Sequence, residues 1–173
     1  MMFRLVMILC MLVGCHADSS MHGHSADRSL VSAEDWVVVD AADDPLADHR
    51  PSDLRCSEDG IYVEAGILEI DTGRCAYVTL KQATGHALQQ GDVVEITIYH
   101  DALYSDPPAN AHLALLLDRT QLWQTIIPIP AESRLFSERF VVPNDLPVGT
   151  RIDFHVRNHG LNHWRLVSIE RHT

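Results

Sequence analysis

The sequence predicts an all-β domain, an antiparallel β-sandwich of about nine strands. Short runs of β-branched and aromatic residues recur from residue 36 onward, and Gly, Pro and Asn-Asp turn signals separate several of them. No segment shows the convincing apolar periodicity of an amphipathic helix. Many short strands joined by such turns are typical of sandwiches and barrels, so the chain is expected to bury its core between sheets.

The predicted strands follow one another along the chain, with loops of varied length between them. Residues 113–117 are continuously apolar, and we expect this strand to be buried on both faces. Residues 123–129 alternate, and the prolines at 128 and 130 are typical of an edge strand. In chain order, the predicted strands are residues 36–39, 61–63, 66–70, 76–80, 93–99, 113–117, 123–129, 136–142, 152–156 and 164–169.

The N-terminal segment has the layout of a secretory signal. Arg4 precedes an apolar run that ends at residue 13, and this run is too short to span a bilayer, which needs about 20 residues. The sequence Leu-Val-Gly-Cys at residues 12–15 resembles the lipobox of bacterial lipoproteins. That resemblance implies cleavage before Cys15, lipidation of Cys15 and attachment to a membrane, and His16 in place of Asp implies the outer membrane. The alternative is an ordinary signal peptide that contains a cysteine.

The chain therefore divides into three parts. We predict a signal peptide over residues 1–14, a lipidated flexible tether over 15–33 and a β-sandwich domain over 34–173. The tether is rich in Ser, His, Asp and Gly and nearly free of apolar residues, a composition that does not support a packed core.

Charge and cysteine content narrow the function classes. Arg4 is the only charged residue of the predicted signal, so the remainder carries 12 Lys and Arg against 24 Asp and Glu. Nucleic acid is disfavoured as a partner, because binding phosphates needs a basic surface. Cys56 and Cys75 remain after export and are predicted to form a disulfide. Free thiols or metal ligands are the alternative, although no C-x-x-C spacing supports a redox or zinc site.

Three segments together resemble a known fold family. The quoted sequences are CSEDGIYVEAGILEID at residues 56–71, CAYVTL at 75–80 and IDFHVRNHGLNHWRLVSIE at 152–170. They resemble the galactose-binding-like jelly roll, the scaffold of many carbohydrate-binding modules. The resemblance implies that early and late strands pair and that the chain finishes on a core strand. It also implies a structural calcium, for which the candidate ligands are Glu64, Asp71 and Glu170.

Histidines form the densest chemical cluster. His155, His159 and His163 surround the last turn, and His100 and His112 bracket the proline-rich loop. Neutral imidazoles bind zinc or copper, so these five residues are candidate metal ligands. The alternative is a polar turn plus separate surface histidines, because spacing of four residues aligns side chains on a helix and not on a strand.

Candidate ligand-binding residues lie in the same loops. Tyr104 is the aromatic residue expected to be exposed, and Trp164 opens the last predicted strand. Asn158 and Asn162 complete the candidate set and also suit tight turns. Trp123 alternates with apolar positions and is expected to fill the core.

No local catalytic motif is present: the sequence lacks G-x-S-x-G, H-E-x-x-H, a P-loop and G-x-G-x-x-G. A carboxylate pair for glycoside hydrolysis leaves no such local spacing. We therefore predict a cell-envelope lipoprotein whose non-catalytic jelly-roll domain binds a glycan or another envelope component, without an essential cofactor. Two alternatives stay open: a histidine-based metal-binding envelope protein, and a structural or interaction lipoprotein with no small ligand.

Overall fold

The computed structural model describes residues 28–172, and the predicted signal peptide and most of the predicted tether lie outside this range. The described chain forms two five-stranded antiparallel sheets packed as a sandwich, which confirms the predicted fold class. Within residues 28–172, no helix has the length and hydrophobicity needed to cross a membrane.

Ten strands and two 3-10 helices make up this part of the chain. Most strands were predicted within a few residues, because their apolar and polar positions alternate with the period of a strand. The strands are β1 (Val37–Val38), β2 (Ile61–Glu64), β3 (Ile67–Asp71), β4 (Tyr77–Ala83), β5 (Val93–His100), β6 (Ala109–Leu117), β7 (Thr120–Ile129), β8 (Arg134–Val141), β9 (Arg151–Arg157) and β10 (His163–His172). The 3-10 helices are Ala47–His49 and Glu58–Gly60.

The strand order places the two ends of the domain side by side. Sheet I has the order β1-β4-β9-β6-β7, and sheet II has the order β2-β3-β10-β5-β8. The early strand β3 pairs with the last strand β10, which lies at the centre of sheet II. This pairing is the one that the family resemblance implied. β7 is an edge strand of sheet I, as its prolines predicted.

The core lies between the sheets. Phe154 and Leu80 from sheet I and Ile98 and Trp164 from sheet II are fully buried there. Residues 113–117 are all buried, as predicted, and Trp123 packs against the core from the edge strand. Side chains at alternate positions of β4, β6 and β9 therefore point away from the core, onto the outer face of sheet I.

The chain joins the sandwich earlier than the predicted boundary at residue 34. Leu30 is fully buried, its N–H donates to the Ile169 carbonyl at 2.9 Å, and its own carbonyl accepts from the Gly85 N–H at 2.9 Å. The Arg171 N–H also donates to the Arg28 carbonyl at 2.9 Å, and Val31 packs against the core, so residues 28–33 of the predicted tether join the domain.

Cys56 and Cys75 form a disulfide, as predicted. The bond connects the segment before β2 to the segment before β4, so it joins the margins of the two sheets. The alternatives of free thiols or cysteine metal ligands are thereby removed.

Candidate ligand-binding cleft

Residues 40–54 cross the outer face of sheet I and are attached to it through Asp44. The Asp44 carboxylate is buried and accepts hydrogen bonds from the Tyr77 hydroxyl at 2.7 Å and the Thr79 hydroxyl at 3.0 Å. Arg50 Nη1 donates to the same carboxylate at 3.1 Å. Burial opposes ionisation of Asp44, but the bonds from Tyr77, the Leu46 N–H, Thr79 and Arg50 prevail and lower its pKa.

A second attachment lies one residue earlier, at Asp43. Its carboxylate accepts from Lys81 Nζ at 2.9 Å, from Arg151 Nη1 at 2.6 Å and from Arg119 Nη1 at 2.5 Å. Hydrogen bonds from these three cations, with Lys81 the strongest, hold the pKa of Asp43 well below its usual range. The segment that covers sheet I is therefore held by two adjacent carboxylates.

His155 lies on β9 beneath this cover and is fully buried. Its Nδ1 is 3.0 Å from the Thr79 hydroxyl, and because that hydroxyl donates to Asp44, the network assigns the imidazole proton to Nδ1. Nε2 then has no hydrogen-bond partner among the described residues. Burial lowers the pKa of His155 to about 3, and the charge of His112 adds to this effect. His155 is therefore a neutral, buried base.

Where the covering segment passes His49, a cleft of about 470 Å³ stays open beside it. Its floor is the outer face of sheet I, where Ile126 of β7, His112 of β6 and Arg157 of β9 stand opposite one another in register. The cleft is lined by His49, Ala109, Asn110, His112, Gln124, Ile126, Arg157 and His159.

His112 connects the cleft to the buried network. Its ring stacks on His49 with centroids 5.3 Å apart and lies 5.2 Å from the ring of His155. His112 Nε2 lies 3.1 Å from the amide oxygen of Gln124 and donates to it, which leaves Nδ1 without a partner among residues 28–172. Burial lowers the pKa of His112; the bond to Gln124 opposes this shift, and the charges of His49 and Arg157 add to it.

The structure separates the five predicted metal ligands. His112 and His155 are neighbours and His159 lines the same cleft, whereas His100 is buried in the core 4.9 Å from the ring of Trp164. His163 lies on the outer face of sheet II, 3.8 Å from Glu69. In the described part of the chain, no three His, Cys, Asp or Glu side chains are grouped to hold a metal ion. The alternative of separate surface histidines is wrong for His100, His112 and His155, which are buried.

The calcium that the family resemblance implied has no matching site. Asp71 pairs with His163 at the start of β10, whereas Glu170 lies near the opposite end and pairs with Arg28. Glu64 is exposed at the end of β2. These three carboxylates do not converge, so they do not fit a calcium ion, which takes six to eight oxygens.

Three of the four predicted ligand-binding residues support the fold instead. Asn158 is buried and donates to the Thr72 hydroxyl at 2.8 Å. The Asn162 side chain binds the backbone of Tyr104, with its oxygen 2.8 Å from the N–H and its nitrogen 3.1 Å from the carbonyl. Trp164 is fully buried between the sheets and therefore cannot stack on a ligand. Only Tyr104 is exposed, at 67%, and it does not line the cleft.

His49, Gln124 and Arg157 were not among the predicted site residues. Alternation in β9 placed Arg157 on the less apolar face together with His155, but nothing local in the sequence indicates which residues lie opposite it. His49 reaches His112 from a loop far earlier in the chain, and only the fold brings the two rings together.

The outer face of sheet II carries a second polar arrangement, here called the paired row: Tyr62, Glu69, Arg165, Tyr99 and Asp101. The Arg165 guanidinium donates to Glu69 at 2.7 Å through Nε and to Asp101 at 2.9 Å through Nη1. The Tyr62 hydroxyl donates to Glu69 at 3.1 Å, and the Tyr99 hydroxyl donates to Asp101 at 2.9 Å. Both carboxylates of the row are therefore bonded within the protein.

Comparisons with known proteins identify the fold. A CBM4 carbohydrate-binding module superposes with a TM-score of 0.50 at 16% identity, covering 81% of this chain and 88% of that one. The K3 cleaved adhesin domain of Lys-gingipain from Porphyromonas gingivalis superposes with a TM-score of 0.46 at 11% identity, covering 83% and 96%. A family 16 carbohydrate-binding module gives 0.41 at 9% identity, covering 66% and 82%.

No protein-family profile matches the sequence. No curated protein matches it significantly either. At the identities above, the similarity concerns the fold alone, and the chain is an all-β sandwich distantly similar to carbohydrate-binding modules.

Proposed function

We propose that this protein is a non-catalytic glycan-binding protein of the cell envelope and that the cleft beside His49 holds the sugar. One observation carries the proposal: the cleft contains a guanidinium that the described protein does not use. Arg157 lines the cleft and is partly exposed, and its guanidinium makes no hydrogen bond or ion pair with any residue of 28–172. Sugar hydroxyls donate and accept at once, so they suit this guanidinium and the amide groups of Asn110 and Gln124 beside it.

The shape of the cleft also suits a sugar ring. Ile126 is 57% exposed on the floor and offers an apolar surface to the C–H groups of a pyranose. The exposed His49 ring forms the wall and is held against His112. A ligand that is apolar on one face and polar around its edge therefore meets matching groups on both sides.

The composition of the cleft favours binding over hydrolysis. Glycoside hydrolysis typically uses two carboxyl groups on either side of the scissile bond. None of the eight residues that line the cleft is an Asp or Glu. A bound sugar would therefore meet no carboxyl pair of this kind among the residues that line the cleft.

Envelope attachment rests on the N-terminal sequence alone. We propose that lipid on Cys15 anchors the protein to the membrane, with the outer membrane as the destination. Cys15→Ser should abolish incorporation of labelled fatty acid and partitioning into the detergent phase. Labelling equal to that of the wild type would overturn the anchor.

Binding is tested with a glycan microarray probed with the full-length protein in detergent. We expect signals for at least one glycan class, and His112→Ala should abolish them because it removes the ring on which His49 stacks and the partner that orients Gln124. His163→Ala, on the opposite face, is the matched control and should leave the signals intact. Absence of binding to every glycan, or binding that His112→Ala leaves unchanged, would overturn the proposal.

A further inference from the structure

The charge of the cleft differs from that of the rest of the molecule. The chain has a formal net charge of −11, with 24 acidic residues against 13 Lys and Arg. The cleft nevertheless contains Arg157, three histidines and no acidic residue among its eight lining residues. Asp44, the buried carboxylate of the covering segment, is already bonded to Arg50, Tyr77 and Thr79.

Arg157 is exceptional among the partly buried arginines of the described chain. Arg50 binds Asp44 at 3.1 Å, Arg151 binds Asp153 at 2.7 Å, and Arg165 binds Glu69 at 2.7 Å. Arg171, the fourth, donates to the Ala87 carbonyl at 2.9 Å.

Arg157 is as sheltered as these residues, yet no ion pair or side-chain hydrogen bond joins it to another residue of 28–172. Its cross-strand neighbours, His112 and Tyr77, offer it no negative charge. A guanidinium that is partly withdrawn from water and lacks a partner is available for an external anion.

We infer that the sugar bound in the cleft carries a carboxylate, as a uronate does, and that Arg157 binds this carboxylate; the inference rests on the proposed function. A guanidinium presents parallel N–H groups that match the two oxygens of a carboxylate. The guanidinium therefore binds the carboxylate, and the amide side chains of Asn110 and Gln124 remain for the sugar hydroxyls.

The positive charge of the cleft indicates that the bound group carries a single negative charge. Burial lowers the pKa of His112, so Arg157 is the fixed cation of the cleft at neutral pH. A phosphate ester carries about −1.5 to −2 at pH 7 and would exceed that charge. A sulfate ester carries a single charge like a carboxylate, so the experiment must distinguish these two groups.

The test is isothermal titration of the full-length protein in detergent at pH 7.5 and low salt. The probes are oligogalacturonate, oligoglucuronate and oligoalginate, each paired with its methyl ester, which keeps the sugar and removes the charge. A sulfated galactose oligomer is the additional probe. We expect at least one acid to bind about tenfold or more tightly than its ester, the usual effect of one charge-assisted hydrogen bond.

Arg157→Gln should remove this preference, so that acid and ester bind within about twofold of each other. Arg157→Lys should recover part of it, since an ammonium keeps the charge without the two-pronged geometry. Arg139→Gln is the matched control, because Arg139 is an exposed arginine of sheet II paired with Glu95, and it should keep the full preference. Thermal unfolding of each variant verifies that the variant is folded.

Four results would overturn the inference: equal affinity for every acid and its ester, a preference that survives in Arg157→Gln, tighter binding of the sulfated oligomer, or no binding of any probe. Equal affinity for an acid and its ester would not contradict the proposed function, because the cleft would then bind the sugar without distinguishing its charge. The microarray decides the proposed function separately, since it includes neutral glycans that these titrations omit.

Discussion

The two outer faces of the sandwich carry similar residue types, but their polar side chains differ in whether they are bonded within the protein. In the paired row on sheet II, Arg165 bonds to both Glu69 and Asp101, and each carboxylate also accepts from a tyrosine hydroxyl. In the cleft on sheet I, the partly exposed Arg157 has no such partner within residues 28–172. Polar groups bonded within the protein hold strands together, whereas groups left without partners are available to a ligand.

The covering segment produces this difference. Residues 40–54 are bonded to the inner part of the sheet I face through Asp43 and Asp44 and pass beside the cleft at His49, which leaves the part lined by Ile126 and Arg157 open. On sheet II, the polar side chains lie opposite one another in register. In the described chain, no loop is attached over them by carboxylates in the way that Asp43 and Asp44 attach residues 40–54 to sheet I.

The largest effect is expected from detaching the cover. Asp44→Ala leaves Tyr77, Thr79 and the partly buried Arg50 without their shared acceptor. Removing one partner of a buried pair typically costs about 3–5 kcal/mol of unfolding free energy. Urea denaturation measures the loss, and Asp48→Ala, an exposed residue of the same segment, should change stability by less than about 0.5 kcal/mol. Equal effects of the two substitutions would show that Asp44 does not hold the segment.

Because His155 of sheet I is a neutral, buried base, we expect the stability of the protein to depend on pH. A histidine in the unfolded chain has a pKa near 6.5, whereas burial lowers the pKa of His155 to about 3. The unfolded state therefore takes up a proton between these values and the folded state does not. The contribution of His155 to the free energy of unfolding is therefore fully present above pH 6.5 and is lost on acidification. The slope is about 1.4 kcal/mol per pH unit for one proton that only the unfolded state binds.

Urea denaturation at pH 7.5, 6.5, 5.75 and 5 measures this slope. His155→Gln should flatten it, because glutamine can still donate to Thr79 but does not titrate. His163→Gln on sheet II is the control and should keep the wild-type slope. An unchanged slope in His155→Gln would contradict the assignment of a neutral, buried imidazole.

A smaller effect is expected in the paired row. Arg165→Gln leaves the buried Glu69 with only Tyr62 as a clear donor, and it should lower stability by about 1–2 kcal/mol, since solvent screens the partly exposed guanidinium. Arg157→Gln should stay within about 0.5 kcal/mol of the wild type, because it breaks no bond within the described chain. Equal destabilisation by the two variants would contradict the difference in internal bonding between Arg165 on sheet II and Arg157 on sheet I.

Zinc should have no effect. Because His112, His155 and His159 do not group for coordination and His163 lies on the other sheet, calorimetric titration at pH 7.5 should detect no tight zinc binding. His159→Ala combined with His163→Ala should change stability only modestly. Stoichiometric zinc in the wild type, lost in this double variant, would restore the metal-binding alternative.

The fold could be predicted from sequence because its signals are local. Strand alternation, proline at the edge strand and glycine or Asn-Asp turns each act over a few residues. The same alternation indicates that His155 lies on the face of β9 opposite Phe154 and Val156. It does not indicate that His155 is buried, because the cover over it comes from residues 40–54.

The cleft could not be predicted, because it depends on register and on a distant loop. His112 and Arg157 stand side by side only through the pairing of β6 with β9. Asn158, Asn162 and Trp164 looked suitable for ligand binding by residue type, but tertiary contacts direct them to the turn backbone and the core. Residue type indicates what a side chain can bind, and the fold decides whether the partner is already inside the protein.

The most direct test compares Arg157→Gln and Arg165→Gln on the same glycan microarray. Both variants remove one arginine from the outer face of a sheet, one from the cleft and one from the paired row. We expect Arg157→Gln to lose the wild-type signals for acidic glycans, while Arg165→Gln retains them despite its lower stability. Loss of binding in Arg165→Gln with full binding in Arg157→Gln would place the ligand on sheet II and contradict the account.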